Sequence, residues 1–145
     1  MANSKTVFII LISGILYNKE GNILLVKRSK QHKAFKESWQ LPEGKMEKGE
    51  QPDQTILREI KEELNLDVLN SKFVFANSTL ITLKNKTYHL LRIVLKTKWK
   101  GVISLSEEHD AYKWIGVKEA VKMSHLVDGT TEVLRNIEQS KKREL

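Results

Sequence analysis

The sequence of 145 residues contains no cysteine. This absence excludes disulfide bonds, thiolate zinc ligands and a cysteine nucleophile, and it fits the reducing environment of the cytoplasm. Long apolar runs are also missing, because the longest, residues 7–17, has eleven residues where a membrane span needs roughly 20. It is rich in β-branched side chains and lacks a small-residue cleavage site, so we expect a buried strand rather than a signal peptide. We therefore expect a cytoplasmic protein without a membrane partner.

Two common nucleotide-binding loops are absent as well. Gly44 and Gly49 do not form a P-loop, since no Gly-Lys-Ser/Thr occurs, and there is no Gly-x-Gly-x-x-Gly. The sequence also lacks internal repeats, low-complexity runs and linkers. Its length suits one domain with a real core, so we expect a single domain over residues 1–145.

Charge is distributed unevenly along the chain, whose net charge is +7. Residues 43–67 hold eight acids and four bases, a balance of −4, so the remainder of the chain carries +11. A basic surface attracts polyanions, whereas the acidic island repels them. A divalent cation would reconcile the two by binding the acids and then a phosphate. The alternative is that the basic excess only aids solubility.

Local patterns predict a mixed α/β sandwich around a curved sheet. The principal helix is predicted to begin at Pro52, which suits a first helical position, and to end at Asn65, which tolerates the left-handed backbone of a helix C-terminus. Two further helices are expected at residues 118–123 and 130–140, followed by a frayed tail at 141–145. Strands are predicted at residues 6–17, 23–28, 73–83, 87–99, 102–105 and 112–117.

The principal helix separates its apolar and acidic side chains. Successive residues are about 100° apart, which places the apolar residues on one arc that we expect to face the core. These residues are Ile56, Leu57, Ile60 and Leu64. Glu59, Glu62 and Glu63 fall on a neighbouring arc, where they repel one another. A hard cation such as Mg²⁺ would neutralise them, because Mg²⁺ prefers oxygen ligands and keeps substrate phosphates in its shell. The alternative is a solvated Glu/Lys face.

The residues around this helix form a longer pattern. It consists of Gly44, five residues, Glu50, seven residues, Arg58-Glu59-Ile60, one residue, Glu62-Glu63, and an apolar Leu66. This pattern resembles the signature of the Nudix hydrolases, which cleave a nucleoside diphosphate linked to another group. The resemblance implies an αβα sandwich. Two positions depart from the family's pattern: Asn65 stands where the family has Gly, and Glu43 stands where relatives often carry Gly or Lys.

In this family the signature holds one to three Mg²⁺ or Mn²⁺ ions. Carried over to matching positions, the resemblance implies that Glu59, Glu62 and Glu63 bind metal. Glu59 is also a candidate to orient or deprotonate the attacking water. The backbone carbonyl of Glu43 is a further candidate metal ligand, next to Gly44 at the start of the signature.

Four residues in or near the signature have expected supporting roles. The resemblance implies that Arg58 and Glu50 form a pair that braces the helix against the preceding loop. The alternative is a surface ion pair, which contributes little energy. Lys45 and Arg28 are candidates to pair with substrate phosphate.

The family often supplies a further acid from a loop before a late strand. Glu108 is our first choice for that acid and Glu107 the second, and the alternative is an acidic turn between strands. The histidines show no close metal-ligand spacing and are expected to be surface or packing residues; they are His32, His89, His109 and His125. The tryptophans are expected to anchor the core, with one aromatic a candidate to stack on a base; they are Trp39, Trp99 and Trp114.

The resemblance leads to a metal-dependent hydrolase of nucleoside polyphosphates. The compact chain favours a nucleoside triphosphate that is split to monophosphate and pyrophosphate, including oxidised nucleotides. Dinucleoside polyphosphates such as diadenosine tetraphosphate are the close alternative, and ADP-ribose or another nucleoside diphosphate derivative is a further one. A noncatalytic nucleotide- or RNA-binding module would use the net charge of +7 but has no need of the acid cluster. We expect a small-molecule nucleotide as partner rather than nucleic acid, and a monomer or homodimer.

Overall fold

The structure is a computed structural model that describes residues 5–143. It contains seven strands and three helices within this range. The strands are β1 Thr6–Ile15, β2 Ile23–Arg28, β3 Trp39–Gln40, β4 Glu43–Lys45, β5 Asp67–Leu83, β6 Lys86–Lys100 and β7 His109–Ile115. The helices are α1 Pro52–Leu64, α2 Val117–Val121 and α3 Thr130–Arg143.

The strands form two sheets. A four-stranded sheet has the order β4-β1-β6-β5, and a three-stranded sheet has the order β3-β2-β7. β1 and β6 are parallel, whereas the other paired strands are antiparallel. The register aligns Ser13 with Glu43 on one side of β1 and Leu11 with Arg92 on the other. These pairings bring the signature strand β4 close to the middle of β6.

Helices cover the sheets on two sides. Ile56, Ile60 and Leu64 of α1 pack in a buried cluster with residues of β1 and β2. A second cluster combines Val133 and Ile137 of α3 with other residues of β1 and β2. The predicted αβα sandwich is therefore confirmed. No helix within the described chain is both long enough and apolar enough to cross a membrane.

Helix α1 has the predicted ends. It begins at Pro52, and Gln51 and Gln54 form a reciprocal cap in which the Gln51 N–H donates to Gln54 Oε1 at 2.8 Å. It ends at Asn65, whose φ of 57° is left-handed and whose N–H donates to the Lys61 carbonyl. Asn therefore takes the conformation for which the family uses Gly, as expected for a residue with a short polar side chain.

The prediction that Leu57 faces the core is wrong, because 52% of Leu57 is exposed. The buried face of α1 includes Thr55 and Glu63, which are 0% and 4% exposed. The helix is thus rotated so that part of its acidic arc, rather than Leu57, lies against the interior. The spacing of apolar residues therefore located the buried face of α1 only to within about one position on the helical wheel.

The predicted strand at residues 102–105 is also wrong. These residues form no strand, and Val102 is 85% exposed. The segment instead crosses the end of α1, where the N–H of Ser104 donates to the Leu64 carbonyl at 2.9 Å and that of Ser106 to the Glu63 carbonyl at 3.0 Å. The last carbonyls of a helix have no partner within the helix, so this segment satisfies two of them.

Other boundaries differ by a few residues. β5 begins at Asp67, six residues before the predicted start, because β6 extends far enough to pair with it. Val117 begins α2 rather than ending a strand. The tail predicted to be frayed is helical as far as Arg143, and its last two residues lie outside the described range.

Candidate active site

A cleft of about 820 Å³ lies where β4, α1 and the segment before β7 meet. We call it the signature cleft. Its lining includes most of the candidate residues from the sequence, together with an arginine and two histidines that the sequence did not suggest for the site. The candidates are Arg28, Glu43, Gly44, Lys45, Glu59, Glu63 and Glu108; the additional residues are His32, Arg92 and His109. Glu50, Arg58, Glu62 and Glu107 are outside the lining.

The acids of α1 differ sharply in burial. The whole Glu63 residue is 4% exposed, whereas the side chains of Glu59 and Glu62 are 13% and 61% exposed. The Glu62 carboxylate lies outside the signature cleft, 3.4 Å from the Arg58 guanidinium. The structure therefore brings Glu59 and Glu63 into the cleft and leaves Glu62 at its exterior.

Burial also changes the proton affinity of the two inner acids. Desolvation raises the pKa of Glu63 well above its ordinary value, and the negative charges of Glu59 and Glu108 raise it further. Desolvation likewise raises the pKa of Glu59, although a hydrogen bond from Arg58 opposes the effect. Glu63 Oε2 is buried and has no hydrogen-bond partner among the described residues. A cation bound here would interact with a carboxylate oxygen that receives no hydrogen bond from the described residues.

Glu108 and His109 complete this cluster from the start of β7. One ligand atom each from Glu63, Glu108 and His109 lies within 4.8 Å of the others. His109 is 5% exposed, and burial lowers its pKa to about 4, so its imidazole is neutral at pH 7. Carboxylate oxygens with a neutral imidazole are suitable ligands for a divalent cation. Sequence spacing could not reveal His109, because its neighbour Glu63 is 46 positions away.

Gly44 allows β4 to approach α1 closely. A Cβ at this position would overlap the carboxylate end of Glu59. The backbone of β4 is therefore in contact with the acid that the resemblance assigns to the water. Any larger residue at this position would require the Glu59 side chain to move.

Arg58 connects α1 to the preceding loop. Its Nε donates to Glu50 Oε2 at 2.7 Å, and its Nη2 donates to Glu50 Oε1 at 2.9 Å and to the Lys45 carbonyl at 3.1 Å. Its Nη1 donates to Glu59 Oε1 at 2.7 Å. Hydrogen bonding to Arg58 is the main cause that lowers the pKa of Glu50 to about 2. The guanidinium thus fixes the loop and one metal-ligand candidate together.

Glu43 has a partner that the sequence did not suggest. Its carboxylate lies 3.3 Å from Arg92 Nη2 and accepts a longer hydrogen bond of 3.4 Å from Ser13 Oγ. Arg92 is 1% exposed, and its Nε and Nη1 have no hydrogen-bond partner among the described residues. An arginine among the apolar residues of "LLRIVL" was the signal in the sequence that could have indicated a buried ion pair.

Arg28 and His32 form a wall of the signature cleft. Arg28 donates from Nε to the Ala34 carbonyl at 3.0 Å and lies 2.9 Å from His32 Nδ1, while His32 Nε2 lies 2.8 Å from the Glu108 carbonyl. Desolvation is the main cause that lowers the pKa of Arg28. These contacts connect a phosphate-binding candidate to the segment that carries Glu108. Lys45 is exposed at the rim of the cleft.

The fold and this site define a class of αβα proteins that present helix carboxylates to a cleft. The model of the NUDIX domain matches residues 9–137, and the chain belongs to the NUDIX family. Its match extends well beyond the signature to most of the described elements. The predicted Nudix pyrophosphohydrolase class, which acts on diphosphate linkages of nucleotides, is confirmed by this match and by the relatives described next.

Two curated relatives and one solved structure illustrate these similarities. The chain is 31% identical over 105 residues to the 8-oxo-dGTP diphosphatase of Buchnera aphidicola subsp. Schizaphis graminum, covering 72% of this chain and 75% of that protein. It is 31% identical over 93 residues to the asymmetrical bis(5'-nucleosyl)-tetraphosphatase of Sus scrofa, covering 62% and 63%. The crystal structure of a MutT protein from Methanosarcina mazei Go1 superimposes with a TM-score of 0.78 at 22% identity, covering 97% of each chain.

Proposed function

We propose that this enzyme hydrolyses a (deoxy)nucleoside triphosphate to the monophosphate and pyrophosphate, with Mg²⁺ or Mn²⁺ as cofactor, and that oxidised nucleotides are among its substrates. The observation that carries the proposal is the convergence of Glu59, Glu63 and Glu108 on one cleft of about 820 Å³. This volume lies in the range of small-molecule sites, which is roughly 300–1,000 Å³. The relative from Buchnera aphidicola, named an 8-oxo-dGTP diphosphatase, supports the choice of substrate.

The metal ligands would be Glu59, Glu63 and the backbone carbonyl of Glu43, with Gly44 leaving the space for this arrangement. Glu62 is the outer acid of the set, beside Arg58. When bound, the cation neutralises phosphate oxygens and lowers the pKa of a water molecule. Glu108 and the neutral imidazole of His109 would contribute further ligand atoms, which lie within 4.8 Å of a Glu63 carboxylate oxygen.

The protein's own groups then position the reactants. Glu59 accepts the proton of the attacking water, and its hydrogen bond from Arg58 keeps that carboxylate in place. Glu50 holds Arg58 by two hydrogen bonds, so the pair acts on the reaction through Glu59. Arg28 and Lys45 bind substrate phosphate from the wall and the rim of the signature cleft. Arg28 suits this role because its guanidinium is already partly desolvated.

A dinucleoside polyphosphate is the second candidate substrate. The match to the asymmetrical bis(5'-nucleosyl)-tetraphosphatase of Sus scrofa has the same identity as the match to the diphosphatase, 31%. ADP-ribose is a third candidate, because it contains the same kind of diphosphate linkage. The buried Glu63 beside the half-buried Glu59 argues against a noncatalytic binding module, because an acid in this position destabilises a fold that has no cation to hold.

The experiment is a panel of nucleoside triphosphates, 8-oxo-dGTP, diadenosine tetraphosphate and ADP-ribose, with Mg²⁺ or Mn²⁺ and identification of every product. We expect monophosphate and pyrophosphate from a triphosphate, with the activity lost in Glu59→Gln and Glu63→Gln. Asp67→Asn is the matched control, because it removes an exposed carboxylate just beyond α1. Faster asymmetric cleavage of diadenosine tetraphosphate would establish the second candidate, and no turnover with any member of the panel would refute the enzymatic proposal.

We also propose a single domain over residues 1–145 that works in the cytoplasm as a monomer or homodimer. The match over residues 9–137 supports one domain, and the absence of cysteine fits a reducing compartment. Light scattering after size-exclusion chromatography measures the oligomeric state. Cooperative unfolding in one transition, seen by both tryptophan fluorescence and circular dichroism, would support the single domain.

A further inference from the structure

A second cleft, of about 830 Å³, lies at the other end of β6. We call it the lysine cleft. Leu90 and Arg92 line the signature cleft, whereas Lys96 and Lys98 line the lysine cleft. Lys96 and Lys98 are four and six positions beyond Arg92, which corresponds to roughly 13 and 20 Å along β6. A ligand in the lysine cleft is therefore remote from Glu59 and Glu63.

Four lysines concentrate positive charge in the lysine cleft: Lys19, Lys72, Lys96 and Lys98. All four are exposed, and none forms an ion pair with a carboxylate within the described part of the chain. Glu20 is the one acid among the described lining residues. A net excess of three positive charges attracts a polyanion.

The arrangement of these lysines costs stability unless an anion is bound. Lys72 lies directly opposite Lys96 in the register of β5 and β6, and Lys98 follows two residues later on the same face. Like charges directly opposite one another destabilise a strand pair. Lysines often protect the edge of a sheet from aggregation. Lys96 is paired on both sides, with Ile15 of β1 and Lys72 of β5, so it does not lie at an edge. Lys98 lies beyond the last β1 pair, so edge protection accounts for Lys98 but not for Lys96.

Aromatic side chains lie beside the lysines. Trp99 and Trp114 stack with ring centroids 5.5 Å apart and planes inclined by 22°, and both half-buried rings line the lysine cleft. Trp99 is held by a 3.0 Å hydrogen bond from Nε1 to the Tyr17 carbonyl. Sites for single-stranded nucleic acids combine aromatic rings, on which bases stack, with positive charges that bind phosphates. The lysine cleft contains both elements.

We propose that the lysine cleft binds a single-stranded polynucleotide, with phosphates at Lys72, Lys96 and Lys98 and a base against the Trp99–Trp114 pair. The acid cluster of the signature led us to expect a nucleotide rather than nucleic acid as partner, and the sequence does not show that these lysines and the two tryptophans meet. The site is independent of the hydrolytic centre. Binding therefore needs no divalent cation.

The test measures binding of a fluorescein-labelled oligouridylate by anisotropy, in chelator, with wild type and Lys96→Gln/Lys98→Gln. Each phosphate contact contributes about 0.7 to the salt slope for a single strand, so removing two contacts is expected to reduce the slope by about 1.4 and the affinity at 0.1 M salt by roughly 25-fold. Lys118→Gln/Lys122→Gln is the matched control, because these exposed lysines on and beside α2 line neither cleft. We expect the control to bind as wild type does, and both variants to retain hydrolysis of nucleotides.

Two further arms identify the ligand and its place. Unlabelled oligouridylate should quench tryptophan emission, whereas inorganic polyphosphate should compete weakly and without quenching. Equal losses of affinity in the two double variants would refute the lysine cleft as the site. Displacement by a nucleoside triphosphate in chelator would place the oligonucleotide in the signature cleft, and equal binding of polyphosphate without quenching would show a general polyanion surface; either result overturns the proposal.

Discussion

Arg92 and Glu43 form an ion pair of 3.3 Å between side chains that are 2% and 8% exposed. Glu43 is one of the two residues at which the chain departs from the family's pattern, and Arg92 is the buried positive charge paired with it. Each strand that carries a member of the pair is hydrogen-bonded to β1, so β1 fixes their separation. The unusual acid is therefore part of the interior of the protein, although the residue also lines the signature cleft.

Glu43→Gln is expected to destabilise the fold, because it leaves the buried Arg92 charge without a counter-charge. Removing one partner of a buried pair costs about 3–5 kcal/mol. The free energy of unfolding, from urea denaturation, measures this loss. Lys61→Gln is the control, since its exposed pair with Asp67 should contribute less than about 1 kcal/mol. A cost for Glu43→Gln as small as that of the control would contradict the prediction, and Glu43→Gln/Arg92→Met should recover part of the loss.

Gly44→Ala is expected to lower kcat by roughly 100-fold. The new methyl group displaces the Glu59 carboxylate, and a displacement of about 1 Å from the productive geometry has an effect of this size. Steady-state hydrolysis gives kcat, and the urea midpoint reports any change in stability. Gly21→Ala is the control: Gly21 has φ of 80° and nothing within 4 Å of an added Cβ. It should lose roughly 1–2 kcal/mol of stability from the left-handed backbone while keeping its activity. A Gly44→Ala enzyme with wild-type kcat would show that this close packing is unnecessary.

His109 gives the stability of the metal-free protein a dependence on pH. Its pKa is about 4 in the folded protein against 6.5 for an ordinary histidine, so the unfolded chain binds more protons between these values. Stability should therefore be fully retained above pH 6.5 and decrease as the pH falls towards 4, by about 3 kcal/mol if the whole shift is realised. Urea denaturation in chelator across this range measures the slope. His109→Gln should flatten it while the exposed His125→Gln should not; an unchanged slope in His109→Gln would contradict the assignment.

Glu63 should make metal-free protein less stable at neutral pH. Its pKa is raised in the folded state, so the folded protein retains a proton that the unfolded chain has lost, and stability falls as the pH rises from about 4.5 through the raised value. Glu63→Gln is then expected to raise the Tm in chelator by several degrees. Mg²⁺ or Mn²⁺ should raise the Tm of wild type, because a ligand of the folded state stabilises it, and should raise that of Glu63→Gln much less. Thermal scans with and without metal measure both effects, and equal metal-induced shifts would exclude Glu63 from the ligands.

The parts of the fold that the sequence predicted are those decided by local chemistry. Pro52 and Asn65 set the ends of α1 through backbone preferences that act over a few residues, and the structure has both ends. Leu57 was assigned to the wrong face because burial of Glu63 depends on neighbours from other elements. The segment at 102–105 has the composition of a strand, yet the unpaired carbonyls of α1 bind it instead.

The composition of the candidate site was less accessible from sequence. Glu59 and Glu63 follow from the signature, since spacing within one helix fixes their relative positions. Arg92 and His109 lie 49 and 46 positions from Glu43 and Glu63, and only the strand register and the path of the chain bring them together. The exposure of Glu62 depends likewise on the exact rotation of α1, which a helical wheel gives too coarsely.

The crossing of residues 102–106 over the end of α1 has a consequence for how the enzyme can diverge. Ser106 is bonded to the backbone of Glu63, and Glu108 follows two residues later, so a short rigid tether sets the distance between the two carboxylates. Length changes on the far side of this anchor, around the exposed Val102, can be absorbed without altering that distance. An insertion between Ser106 and Glu108 would change the distance between the Glu63 and Glu108 carboxylates. The chain should therefore accept insertions around Val102, whereas a single residue added between Ser106 and Glu108 should separate Glu108 from Glu63.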